Sequence, residues 1–164
     1  MNESVLIIGV GAGLSSSLAR LCASKGMKVL LASRNIEKLN KLKKEIKGYT
    51  YKCDASNYES VFNLFKETDK LIGTPNLVIY NASSRPKRGS IIDMDPSEVQ
   101  KAINITCFGA FLVAQEAAKR MVKIKKGSIF FTGATGGIKG FANSSAFAMG
   151  KFGLRGLAQS LARE

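Results

Sequence analysis

Three short stretches hold the residue types that could do chemistry. "IIGVGAGLSSSLA" places Gly9, Gly11 and Gly13 between an apolar run and a helical pattern. Glycines spaced this way let a backbone turn sharply and approach a ligand closely. A helix opening at Leu14 would aim its free N–H groups and positive dipole end at the same point. A diphosphate suits such a place, and a tight turn with no ligand is the plainer alternative. "MKVLLAS" is followed by Arg34, so Ser33 and Arg34 stand where an acidic residue would bind ribose hydroxyls. A hydroxyl beside a guanidinium suits a phosphate instead, which favours NADP(H) over NAD(H); an ordinary surface arginine opening a helix is the alternative. Lastly, "SSAFAMGKFGLRGLAQS" has the cadence of a helix built around Lys151, with Phe147 one turn earlier. A phenyl ring there has no proton to give.

Composition removes other chemistries. The 164 residues include no histidine, and Cys22, Cys53 and Cys107 are widely spaced without a CxxC pair. That leaves no metal site and no Ser/His/Asp or Cys/His relay, and it suits a reduced, intracellular protein. The opening "MNESVLIIGVGAG" has neither the basic start of a signal peptide nor the length of a membrane span, so a soluble, cytoplasmic protein with no membrane partner is expected. The formal charge of +13 raises nucleic-acid binding as a possibility. Yet Lys38, Lys41, Lys43, Lys44 and Lys47 share a segment with Leu39, Leu42 and Ile46, the layout of an amphipathic helix with a solvated outer face. Lys119, Arg120, Lys123, Lys125 and Lys126 crowd a helix end, where cations suit the macrodipole. The charge reads as lysine-rich surface, and no nucleic-acid partner is expected.

The elements that must position these residues alternate. "SVLIIGV", "MKVLLAS", "YTYKC", "NLVIYNA" and "SIFFTG" read as strands. Between them lie helices over "LSSSLARLCASKG", closed by Gly26, over "NIEKLNKLKKEIKG", stopping at Gly48, and over "NYESVFNLFKETDKLIG". A long helix follows from Pro96 to Val122, with Asp95 as N-cap and Glu98 completing a capping box, and a last one starts near Ser145. Strands separated by helices need crossover connections. The fold class is therefore α/β, a Rossmann-type doubly wound parallel sheet with helices on both faces, in one dinucleotide-binding domain over residues 1–164.

Taken together, the glycine turn, "CDAS" from Cys53, "YNAS" from Tyr80, Ile103-Asn104 and "GSIFFTGATGGIKGFANSSAFAMGKFGLRGLAQSLARE" resemble a short-chain dehydrogenase/reductase across essentially the whole chain. The resemblance gives Gly9 and Gly13 the first two glycines of the family's TGxxxGxG turn, with Ser15 where the third is expected and Ile8 replacing the threonine. It implies that Asp54 contacts adenine, that Asn81 and Ala82 form the middle of NNAG with Ser83 in place of its glycine, and that Asn104 supports a water chain behind the active lysine. Read from the residues alone, Asp54 and Asn81 serve equally well as caps or bridges at strand ends, and Asn104 as a polar helix residue satisfied by its neighbours.

The resemblance also exposes what is missing. Lys151 matches the lysine of Tyr-x-x-x-Lys, but Phe147 takes the tyrosine position and Ala134 the serine position. A positioned proton donor contributes about 10²–10⁴ in rate, and an oxyanion donor a further factor on the order of 10²–10³. Thr132, Thr135, Ser144, Ser145, or a water held by Lys151 and Asn104, could stand in. Without the tyrosine, Lys151 suits the nicotinamide ribose, unless it is simply an exposed helix lysine. The family's last strands and substrate-covering segment have no counterpart after Glu164, so a C-terminally incomplete chain is expected, with "SIFFTG" at a sheet edge. The long helices correspond to those through which family members dimerise, implying a homo-oligomer at full length; read from the residues alone, their apolar faces serve equally well as core. The expected activity is NADP(H)-dependent hydride transfer with an unknown carbonyl or alcohol, through non-standard acid chemistry. The alternative is a non-catalytic dinucleotide sensor or scaffold.

Overall fold

The computed structural model describes residues 3–164. Its parallel sheet is built from β1 (Ser4–Ile8), β2 (Lys28–Ser33), β3 (Tyr49–Lys52), β4 (Leu77–Tyr80) and β5 (Ser128–Phe131), in the order β3-β2-β1-β4-β5. Every residue of β1 is buried, and its alternation divides the interior. Leu6 and Ile8 face one cluster with Phe65, Val113 and Leu154, while Val5 and Ile7 face another with Ala19, Cys22 and Leu42. Truncating any of these aliphatic side chains to alanine would cost about 2–5 kcal/mol. This is why the strands read as unbroken apolar runs: both faces of the sheet are covered.

Helices α1 (Leu14–Ser24) and α2 (Asn40–Ile46) lie on one face, with α3 (Tyr58–Leu71) and α5 (Gly109–Ile124) on the other. The chain leaves β1 towards β2 on one side and returns to β4 on the other, so the direction of winding reverses between β1 and β4. Clefts outside the strands' C-terminal ends at such a reversal are where open α/β sheets hold ligands. β5 is an edge strand, as expected, and Phe130 stands 59% exposed there. No helix of the described residues is long and apolar enough to cross a membrane.

Three local expectations need correction. Asp95 does cap α4 (Pro96–Ile103), but it accepts from the Ser97 N–H and hydroxyl, while Glu98 pairs with Lys101; the capping box is not formed. α2 ends before Gly48, with Lys47 in the left-handed conformation as its cap. The helix read as continuous from Pro96 to Val122 is interrupted at Asn104–Phe108 by a π turn, in which the Gly109 N–H donates to the Asn104 carbonyl. Arg120, expected in a solvated cluster, lies instead over the Phe65 ring and donates to Asp69 (2.9 Å) and to buried Glu116 (2.8 Å), tying α5 to α3. Burial works to raise the Glu116 carboxyl, but hydrogen bonds from Lys119 and Arg120 outweigh it and hold it below the usual range.

The π turn decides how α6 (Ser145–Leu161) docks. A Cβ on Gly150 would lie 3.0 Å from the Thr106 Cβ, and one on Gly153 would lie 2.7 Å from the Cys107 Sγ, so a side chain at either would press α6 against the π turn. Thr106 in turn accepts from the Ser84 N–H (3.1 Å), and the buried Tyr80 hydroxyl donates to the Ile105 carbonyl. Burial pushes the Tyr80 phenol well above its ordinary value. Through these contacts the bulge locks the end of β4, the following loop and α6 together.

Candidate functional site

The glycine turn after β1 is built against β4. Gly9 has φ +79°, and a Cβ there would collide with the backbone of Ala82. The Asn81 side-chain amide donates to the Gly9 carbonyl (3.2 Å), and the Asn81 N–H donates to that of Ile8 (2.9 Å). Asn81 therefore is the strand-end bridge that the residues alone allowed. By contrast, the Cβ positions of Gly11 and Gly13 point into open space, so nothing within the protein requires glycine at either. Ser15, standing where a third glycine was expected, is buried and accepts from the Gly11 N–H (2.9 Å). Its hydroxyl closes the loop from within.

Two adjoining cavities run along this turn. One, of about 200 Å³, is lined by Gly9, Ser33, Arg34, Asp54, Asn81 and Ala82 among others. Asp54 accepts from the Ser56 hydroxyl (2.7 Å) and N–H (3.0 Å). The Ser56 hydroxyl is the largest influence holding this carboxyl below its ordinary value, with the Arg34 charge assisting. The other cavity, of about 600 Å³, continues past Ser33 and Arg34 to Gly11, Arg20, Lys38 and Lys41. No carboxylate lines it; Arg20 is engaged by Glu45 at its rim (2.6 Å), whereas Arg34, Lys38 and Lys41 have no carboxylate partner among the described residues. Lys38 and Lys41 read as solvated helix surface in sequence. They stand three residues apart just beyond Arg34, a spacing that puts both on one helix face and does not by itself set them apart from surface lysines.

The structure thus brings Gly9, Gly11, Ser33, Arg34, Asp54, Asn81 and Ala82 into one trough. Gly13 caps α1 beside it, and Leu14 is exposed at the first turn of that helix. Asn104 and Lys151 lie outside the trough. The Asn104 Oδ1 accepts from Gln100 (2.9 Å). Lys151 is 5% exposed, donates to the Thr132 carbonyl (2.8 Å), and lines a separate cavity with Ala134 and Ile138. Burial, reinforced by the positive charge of Arg85, holds its ammonium below the ordinary lysine value.

Beyond Lys151 lies Phe147, half-buried, with the Lys151 Nζ 5.9 Å from its ring centroid. Arg85, from the loop after β4, places its guanidinium 4.5 Å from the same centroid. Sequence reasoning passed over Arg85, because only the folded loop brings it to Phe147. A further cavity of about 200 Å³ opens here, bounded by Ala134, Phe147 and Arg85. Of the four hydroxyls considered as stand-ins, Thr135 and Ser144 face it; Ser145 is turned to the Met94 sulfur (3.1 Å).

Comparison with known proteins identifies the family to which this fold belongs. The sequence model described as short chain dehydrogenase matches residues 3–164. A 3-oxoacyl-[acyl-carrier-protein] reductase of Bos taurus is 26% identical over 100% of this chain and 70% of its own length. The corresponding MabA reductase of Mycobacterium avium is 29% identical over 100% of this chain and 62% of its own. The crystal structure of a short-chain dehydrogenase from Rhodopseudomonas palustris superimposes with a TM-score of 0.93 at 32% identity, covering 100% of this chain and 79% of that one. The chain belongs to the short-chain dehydrogenase family of oxidoreductases.

Proposed function

We propose that the chain is a single NADP(H)-binding unit of an oxidoreductase that acts on a carbonyl or alcohol without the family's tyrosine. The observation that carries this reading is the cation-lined cavity at the end of β2, continuous with the glycine turn. The residues present fit the cofactor: Gly11 and Gly13 leave open space where a side chain would intrude, and α1 begins at that space. Arg34, with Lys38 and Lys41, would hold the 2′-phosphate, Ser33 and Asp54 the adenosine side, and Asn81 and Ala82 the stretch towards the nicotinamide. When bound, the nicotinamide supplies or accepts a hydride. Lys151, with one proton committed to Thr132, keeps two others for the nicotinamide ribose. Asn104 supports the lysine side from the π turn. Proton delivery falls to Thr135 or Ser144, the hydroxyls facing the Phe147 cavity.

Fluorescence titration with NADPH and NADH tests this. NADPH should bind about 10-fold or more tightly than NADH, and Arg34→Met should bring the two within about threefold, because charge-assisted hydrogen bonds to the phosphate are lost. Equal affinity in the unmodified protein would overturn the preference. A dinucleotide sensor or scaffold is the second reading, favoured by Phe147 and Ala134. It gains if NADPH binds and no hydride transfer follows with any of a broad panel of carbonyls and alcohols.

A further inference from the structure

The cavity at Phe147 has a chemistry of its own. Its lining is of mixed polarity, apolar at Met94, Ala134 and Phe141 and polar at Thr135, Asn143 and Ser144, and its charged residues are all cationic. Lys87 and Arg88 also border the neighbouring cavity, which Asp93, Asp95 and Glu98 line. Arg85 does not: among the described residues it has no carboxylate partner, and its guanidinium rests on the Phe147 ring. A guanidinium laid on an aromatic face keeps its donor edges free for a planar, bidentate acceptor. The phenyl ring lacking a hydroxyl supplies that face.

We propose that Arg85 is the specificity residue of this site, and that the substrate is a small carboxylic acid with an apolar body, bound carboxylate to guanidinium over Phe147. A cavity of about 200 Å³ suits a molecule of that size. That the acid also carries a carbonyl rests on the oxidoreductase function proposed above; the carboxylate preference does not. Because Ala134 and Phe147 bound the cavity, an acid held by Arg85 has its body at the positions where the family's two hydroxyls are replaced.

Benzoylformate and its methyl ester are matched probes, alike in shape and different in charge. Saturation-transfer NMR on the unmodified chain, with and without NADP⁺, should show the acid binding about 10-fold more tightly than the ester. Arg85→Met should reduce the acid to the level of the ester, and Arg85→Lys should fall between, having charge without the planar fork. Lys66→Met removes a cation resting on Phe62, on the outer side of α3, and should change nothing. Equal binding of acid and ester, no binding of either, or an acid preference that survives Arg85→Met would each overturn the proposal. NADPH titration of the same samples separates the two ideas. Arg85-dependent acid binding without NADPH binding sinks the cofactor assignment and leaves this site standing. NADPH binding without acid preference does the reverse.

Discussion

The two ends of the cleft above the sheet are furnished in opposite ways. Beside β2 and β3 the trough is faced by backbone, open glycine positions, Asp54 held by Ser56, and the cations Arg34, Lys38 and Lys41, which have no carboxylate partner among the described residues. Beside β5 and α6 side chains already hold partners in part: Lys151 gives one proton to Thr132, Arg85 rests its face on Phe147 with its edges free, and Ser145 turns to Met94. Recognition by charge and backbone tolerates side-chain exchange, because many residues share it. A proton path through two hydroxyls does not, because each has one position from which it can act. At the second end Phe147 and Ala134 offer no such hydroxyls, so no proton can pass through those two side chains.

The largest effect should come from restoring those hydroxyls. Phe147→Tyr with Ala134→Ser should raise NADPH oxidation with reactive carbonyls by about 10²-fold or more, read as absorbance loss at saturating cofactor. If the double variant gains nothing, the contrast between the two ends does not lie in the hydroxyls. Next in size is a contrast within the glycine turn. Gly9→Ala meets both the Ala82 backbone and a positive φ, and should lower stability by roughly 2–3 kcal/mol in urea unfolding. Gly11→Ala projects into the trough and should leave stability within about 0.5 kcal/mol while weakening NADPH binding about 10-fold. Similar unfolding curves for the two variants would contradict the packing described for Gly9.

The smallest effect concerns Lys151. Its ammonium is held below 10.5 in the folded protein, so the unfolded chain binds the proton more tightly. Stability from this group is fully present above 10.5 and is lost as pH falls through the lowered folded value. The stability of the unmodified protein relative to Lys151→Met should therefore increase as pH rises towards 10.5. A flat difference would mean that the lysine is not desolvated.

Much of the fold was legible because apolar runs and helical periodicities lie within single elements. The strand order along the chain and the turn at Gly9 follow from such local patterns, whereas the edge position of β5 rests on the family resemblance. The interruption at Asn104 was not legible, since apolar spacing on either side of a π turn looks helical and the widened turn leaves no residue type as its mark. The capping box failed for a local reason of another kind: Asp95 had two donors on Ser97, nearer than the Glu98 arrangement required. At the site, Arg34 could be read from its position after β2. Lys38 and Lys41 could not be told from surface, because an amphipathic helix's polar face and a cation-lined cavity wall carry the same residues. Arg85 lies 62 residues before Phe147, and contacts at that separation have no sequence period.

The π turn also has a consequence for chain length. An i to i+5 ring holds one residue more than an α turn, so the helical stretch from Pro96 to Ile124 contains a surplus residue, taken up at Asn104–Phe108. Deleting one residue there would let the flanking helices keep their buried faces, with Ala102 on one side and Val113 and Ala117 on the other. A deletion anywhere else along either helix would turn every following side chain by about 100°. What the helix would give up is the sideways carbonyl of Ile105 that receives Tyr80. This places the chain's tolerance of insertion and deletion at the same residues that join β4 to α6.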